Sequence, residues 1–201
     1  MASTYPKQVT LKNKELIELR PLDPSRDEKA LIQFFAGLPR ESTAFLKDDV
    51  RDPEVVRRFI SKADPDTIWA ILAVKPDGTI VGDATLHMSQ LGWRRHVGEV
   101  RVVVASTYHK QRLATALIHE LVNQASLREL RKLEAQVLDS QIGAWRALER
   151  LGFAEEARLR RHAMDLDGGL HDMVILTNTV DDLWKKMEDK ISDMDHAPDG
   201  Y

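Results

Sequence analysis

The 201-residue sequence contains no cysteine. Disulfides, thiolate metal sites and a covalent thioester intermediate on the protein are thereby excluded. Acyl chemistry in such a chain has to run by direct transfer or through an oxygen nucleophile. A long apolar run is also missing. The longest, Ile68 to Val74, has seven residues, against the roughly 20 that a membrane-spanning helix needs. The opening residues, Met1 to Pro6, show neither the apolar segment nor the cleavage site of a secretory signal, so a cytoplasmic protein without membrane attachment is expected. There is no surplus of positive charge: 29 Lys plus Arg stand against 32 Asp plus Glu, a formal net charge of −3. That balance argues against sequence-blind nucleic-acid binding. No second histidine follows His119-Glu120 at the spacing of a zinc helix, and no metal is expected.

With 43% hydrophobic and 30% charged residues, the composition is that of a folded globular chain. Glu15 to Arg20 reads as an edge strand ended by Pro21. Asp23-Pro24-Ser25 offers a helix start, and Ala30, Leu31, Phe34, Phe35 and Leu38 follow at helical spacing. A second short helix begins with Pro53 and carries Val55, Val56, Phe59 and Ile60. The loop between them, Phe45 to Asp52, is either a solvated surface or, through Asp48, Asp49 and Asp52, a lining for a cationic ligand. Ile68–Val74 and Thr79–Met88 flank the turn Lys75-Pro76-Asp77-Gly78 and form a hairpin.

Gly98 to Ala105 alternates Val100, Val102 and Val104 with Glu99, Arg101 and Val103, the period of a strand. A long helix is predicted from Tyr108 to about Leu127, since Leu113, Leu117, Leu121 and Ala125 recur every four residues. Leu133–Leu138 reads as a strand and Ile142–Leu151 as a helix stopped by Gly152. Ala157–Leu166 and His171–Thr177 flank Asp167-Gly168-Gly169 as a last hairpin. Ser140 is expected to cap the helix at 142, Asp172 to make a structural contact in the last hairpin, and Trp93 and Trp145 to pack. The order implies a mixed α/β sheet with antiparallel hairpins at its ends. Residues 181–201 hold seven acids and three bases, a charge of −4 against +1 for the rest. Leu183, Trp184, Met187 and Ile191 could form one docking helix there, with disorder expected from Asp193.

Two segments carry chemistry. Val102-Val103-Val104 leads through Ala105-Ser106-Thr107-Tyr108 into His109-Lys110-Gln111-Arg112-Leu113-Ala114-Thr115, a strand running into a helix start crowded with positive charge. Acids would ordinarily stabilise that position, so the basic cluster suits a bound anion. The second runs from Leu133-Glu134-Ala135-Gln136-Val137 through Ser140, Gln141, Ala144 and Leu148 to Leu151-Gly152-Phe153. Together they resemble the GNAT acetyltransferases, whose loop pattern is Gln/Arg-x-x-Gly-x-Gly/Ala and whose second motif is Asn-x-x-Ala-x-x-x-Tyr-x-x-x-Gly-Phe. The resemblance covers about residues 14–178, leaving a lead at 1–13 and an acidic, partly helical tail at 179–201.

The resemblance implies the acyl-CoA N-acyltransferase fold, a mixed, mostly antiparallel sheet flanked by helices. It implies acetyl-CoA as cosubstrate and a small-molecule or peptide amine as acceptor, with a homodimer allowed. By it, Val102, Val103 and Val104 would meet pantetheine and the reacting carbonyl through their amides, while His109, Lys110, Gln111, Arg112, Leu113, Ala114, Thr115 and Gln141 would bind coenzyme A. Glu99 lies where some members keep a general base, though a strand-face carboxylate can equally be salt-bridged. His109 replaces the leading Gln/Arg, Arg112 the central glycine, Gln141 the Asn and Leu148 the Tyr that protonates the leaving thiolate. A thiolate is a fair leaving group, with a pKa near about 8.5 for a simple thiol, so losing that acid slows transfer without forbidding it. The Arg112 Cβ crowds the pyrophosphate, or its guanidinium grips it. A silent coenzyme A-binding module, or a fold relic that has lost the cofactor, are the alternatives to an active transferase.

Overall fold

The computed structural model describes residues 4–43, 46, 48–165 and 167–186, without the side chains of 41 and 42. One eight-stranded sheet has the order β1-β2-β3-β4-β5-β6-β8-β7. The strands are β1 Lys7–Thr10, β2 Leu16–Pro21, β3 Ile68–Val74, β4 Ile80–Met88, β5 Val97–Val104, β6 Lys132–Leu138, β7 Ala154–Met164 and β8 Leu170–Thr179. The helices are α1 Glu28–Ala36, α2 Arg40–Thr43, α3 Pro53–Lys62, α4 Leu113–Leu127 and α5 Ile142–Leu151. Neighbouring strands are antiparallel except β5 and β6, which run parallel. Residues 7–10 of the lead are thus part of the sheet, paired with β2.

Two cores lie on opposite faces. On the first, α4 places Leu113, Leu117, Leu121 and Ala125 against Ile71, Ala84, Leu86, Val100 and Leu133. On the second, α1 and α3 bring Leu31, Phe34, Phe35, Val56 and Ile60 against Leu72 and Val74. The start of α1 is clamped to β2 by Arg20, whose Nη1 and Nη2 donate to the Asp27 carboxylate at 2.6 and 2.8 Å. Residues 180–186 are helical; Val180 and Leu183 are buried, and Trp184 packs on His119. Met187, Ile191 and the segment from Asp193 lie outside the described residues, as do Phe45 and Lys47.

The long helix begins at Leu113, five residues later than Tyr108. Ser106–Tyr108 forms a single 3-10 turn, and Lys110 and Arg112 adopt left-handed backbone at φ 61° and 70°. Left-handed residues interrupt a right-handed helix, so the turn cannot merge into α4. The α5 cap is Gln141 rather than Ser140, which is exposed, and Gly152 ends the helix at φ 113°. Trp93 is 89% exposed instead of packed.

The β5–β6 pairing is short. It covers only Val97–Glu99 against Lys132–Glu134, after which the strands part. Gly98 fits at this junction because a Cβ there would lie 2.7 Å from Leu86 Cδ1 and 2.8 Å from Leu130 Cδ1. Gly98→Ala therefore overpacks the point where the strands meet, at a cost of about 1–3 kcal/mol. Thermal unfolding should show a Tm lower by several degrees, and an unchanged Tm would mean that the leucines yield freely.

Candidate active site

Beyond Glu99 and Glu134, β5 and β6 form the two walls of a wedge. The backbone of Ala105 donates to Val81 at 3.0 Å, so in the antiparallel β4–β5 register the alternate residues Val102 and Val104 turn their N–H and C=O away from β4 and into the wedge. Val103, one residue out of phase, directs its backbone to β4 and its side chain to the α1/α3 face. On the facing wall Asp139 N donates to Asp172 O at 3.0 Å, which turns Gln136 and Leu138 toward the wedge. All three valines are only partly buried, although β5 is a central strand.

Two of the anticipated residues meet these wedge groups. The Nε2–H of His109 donates to the Val104 carbonyl at 3.1 Å, and Gln141 Oε1 accepts from Leu138 N at 2.8 Å. Gln111 Oε1 accepts from Asn13 N at 3.1 Å, tying the basic loop to the β1–β2 connection. Leu113 is buried beneath α4, and its side chain is core while its amide belongs to the helix terminus. Lys110, Arg112 and Thr115 are exposed, and Ala114 is half-buried. The first N–H groups of α4 have no carbonyl one turn earlier to bond, and the first turn holds no acid. Together with His109, Lys110 and Arg112 they form an anion-attracting end.

The opposite face of the same strands is polar. In register, His87, Glu99, Glu134 and Thr177 form one row across β4, β5, β6 and β8, with Thr85 and Arg101 paired in the next row and Gln136 beyond them on β6. Glu99 accepts from Arg101 Nε at 2.8 Å, so the sequence's candidate base is salt-bridged. Glu134 accepts from Arg94 Nη2 at 3.0 Å and Gln136 Nε2 at 2.7 Å. Thr85 Oγ1 and His87 Nε2 lie 3.0 Å apart. Asp83, paired with Val103 on this face, is 7% exposed, and its Oδ1 has no hydrogen-bond partner. Burial alone pushes its carboxyl up to about 7.

Two of the three acids in the loop between α1 and α3 bond the backbone. Asp52 caps α3 by accepting from Glu54 N at 2.9 Å, and Asp49 accepts from Arg51 N. Asp172 accepts from Arg161 N at 2.9 Å, the structural contact expected of it. Leu148 is buried in the core, whereas the Tyr108 phenol donates to Glu15 at 2.9 Å and is pushed up to about 12, first by burial. A cavity of about 750 Å³ beyond the other end of β5, lined by Met88, Trp93, Arg95 and His96, holds none of the motif residues. Among the described residues no helix is long and apolar enough to cross a membrane, and no three His, Asp or Glu side chains are grouped to hold a metal.

The sequence pattern of the Acetyltransferase (GNAT) family matches residues 32–153, more than half of the chain. The chain belongs to the GNAT acetyltransferases. Solved structures agree in fold. A GNAT-family acetyltransferase from Streptococcus pneumoniae is 24% identical, with a TM-score of 0.68 over 81% of this chain and 99% of its own. The GNAT domain of S. lividans PAT is 18% identical, with a TM-score of 0.71 over 87% of this chain and 96% of that one. The ribosomal-protein-S5-alanine acetyltransferase of Vibrio fischeri is 15% identical, with a TM-score of 0.71 over 83% and 94%. No curated protein matches the sequence. In this GNAT chain the acyl-CoA N-acyltransferase architecture, a mostly antiparallel sheet flanked by helices, is the one read from the motifs.

Asp83 sets a pH dependence. Its folded pKa of about 7 lies above the ordinary 3.8, so the folded state holds the proton longer and stability falls as pH rises between those values. Asp83→Asn removes that slope. Relative to the parent, the variant should gain about 3 kcal/mol more stability at pH 8 than at pH 5, by urea unfolding. Parallel profiles for the two proteins would show that the carboxyl is solvated.

Proposed function

We propose that the chain is an N-acetyltransferase that moves the acetyl group of acetyl-CoA to a primary amine by direct attack, acting in the cytoplasm. The observation that carries this is the wedge between β5 and β6, open beside the basic N-terminus of α4. Its residues fit the cosubstrate: an anion-attracting helix end adjoins a strand edge whose amides can pair with an extended, amide-bearing arm. Acetyl-CoA supplies the thioester, an activated acyl group with a thiolate as leaving group.

In this reading Lys110, Arg112 and the first amides of α4, from Leu113, Ala114 and Thr115, hold the diphosphate. His109 and Gln111 fix the loop by bonding Val104 O and Asn13 N. The Val102 and Val104 amides donate to the arm and to the oxygen that becomes negative during attack. Val103 contributes its side chain to the acceptor half, and Gln141 keeps the β6 wall closed by accepting from Leu138 N. Glu99 takes the proton of the attacking amine, with Arg101 orienting its carboxylate. The acceptor approaches over the polar rows of β4, β5 and β6. Neither a metal nor a nucleic acid is required.

A catalytically silent coenzyme A-binding module is the second reading, favoured by Leu148 in the place of the thiolate's acid. Both share the cofactor contact and differ in turnover, so acceptor-dependent thiol release separates them. Arg112→Glu should weaken coenzyme A binding at least about 10-fold in calorimetric titration, since it reverses a charge-assisted contact. Unchanged affinity removes Arg112 from the diphosphate site. Glu99→Gln should lower the acetylation rate at neutral pH by about 100-fold or more with cofactor affinity retained. Equal rates would end its role as base.

A further inference from the structure

A carboxyl group buried in a sheet interior ordinarily has a partner, because an unpaired one costs several hydrogen bonds' worth of desolvation. Asp83 has none on Oδ1. Its cross-strand neighbours on that face are Leu72 on β3 and Val103 on β5, both apolar and both packed beneath α1 and α3. Arg101, the cation closest in register, is turned to Glu99 instead. Its Oδ1 is sealed from solvent, and the 7% exposure of the residue leaves only a narrow opening. That opening lies on the acceptor side, beside the half-buried Val103 and in line with Thr85 and His87 along β4.

Resting on the transferase reading, we infer that Asp83 is the acceptor anchor: its carboxylate receives an ammonium group of an aliphatic primary amine, whose carbon stem lies against the half-buried Val103. The missing hydrogen-bond partner is then the acceptor itself. The apolar surroundings select a compact ammonium on a hydrocarbon stem over a heavily hydrated polar acceptor, and the carboxylate rejects neutral alcohols of the same shape. Asp83 sets acceptor affinity; where it holds the reacting nitrogen, that ammonium first gives one proton to solvent and becomes the neutral nucleophile, and the second proton, lost on attack, goes to Glu99. The two acids are therefore separable in kinetics.

The test titrates n-butylamine and 1,4-diaminobutane, with n-butanol as the neutral control, into the full-length protein saturated with CoA at pH 8. Wild type should bind at least one amine, and Asp83→Asn should bind it about 10–100-fold more weakly while CoA affinity is unchanged, which also shows that the variant is folded. Preference for the diamine would place Asp83 at the distal ammonium, and equal binding of the two amines would place it at the reacting one. Either result supports the anchor. Equal amine affinity in wild type and variant, or no amine binding to wild type, overturns it.

Thiol release from acetyl-CoA with the same amines separates this idea from the reading beneath it. A raised KM with kcat within about threefold in Asp83→Asn supports the anchor, since removal of a uniform binding contact acts on KM. Turnover with an unchanged KM rejects Asp83 and leaves the transferase standing. Asp83-dependent amine binding with no thiol release keeps the anchor and rejects the transferase.

Discussion

The short pairing of β5 with β6 is the constraint on which the rest of the molecule depends. Backbone N–H and C=O groups in the middle of a sheet have to find partners, and a central strand normally finds them on both sides. Here β5 is paired with β4 along its length but with β6 over three residues only. The groups released on each wall are partly closed by side chains from the motif segments, His109 on Val104 O and Gln141 on Leu138 N. Val102 and Val104 still present backbone donors along the wedge. The parting thus leaves backbone donors along an edge inside the sheet, and Gly98 lets the two strands come close enough to share Leu86, Leu130 and Leu133 before they separate.

A second constraint sits at the mouth of this wedge. Arg112 adopts φ 70°, a conformation that disfavours a residue with a Cβ by roughly 1–2 kcal/mol. Glycine is the ordinary occupant of the corresponding position in the family pattern, and the backbone geometry explains why. The arginine keeps that backbone geometry and adds a charge beside a helix N-terminus that already carries His109 and Lys110 nearby. Positive charge gathered at one helix start is what a bound polyanion offsets.

The elements of the fold were largely legible from apolar periodicity. Ile68–Val74 and Ile142–Leu151 match the structure at both ends, because Pro76 and Gly152 terminate them with unambiguous backbone chemistry. The start of α4 lies later than the leucine repeat implies, because that repeat says nothing about Lys110 and Arg112 adopting left-handed backbone. Trp93 is exposed where its hydrophobicity implies packing, since hydrophobicity alone does not place a loop tip. In the candidate site, the basic loop ahead of α4 is legible as a motif, whereas the Phe45–Asp52 loop reads either as a solvated surface or as a lining for a cationic ligand, and two of its acids cap or brace the backbone. The polar face of the sheet has its own signal in the period-two run Asp83, Thr85 and His87 in β4, matched by Glu134 and Gln136 in β6. Polar residues alternating inside strands mark a face that needs partners, but which strands adjoin them is a matter of topology, not of local sequence.

The absence of a tyrosine at position 148 weighs differently once the fold is in view. Leu148 is not a vacant catalytic position; it fills the core with Leu151, Phe153 and Val174. The nearest alternative in the sequence, Tyr108, has its proton committed to Glu15 and held there by burial. In the proposed reaction the departing thiolate therefore leaves without a phenol and takes its proton from water. A simple thiol with a pKa near about 8.5 is already within reach of neutral water. The demand for a general acid is then weak, while the demand for a base at the incoming amine, with its far higher pKa, is strong. The proposed reaction therefore calls for carboxylates where the amine arrives, and Asp83, Glu99 and Glu134 all lie on the one sheet face to which it assigns the acceptor.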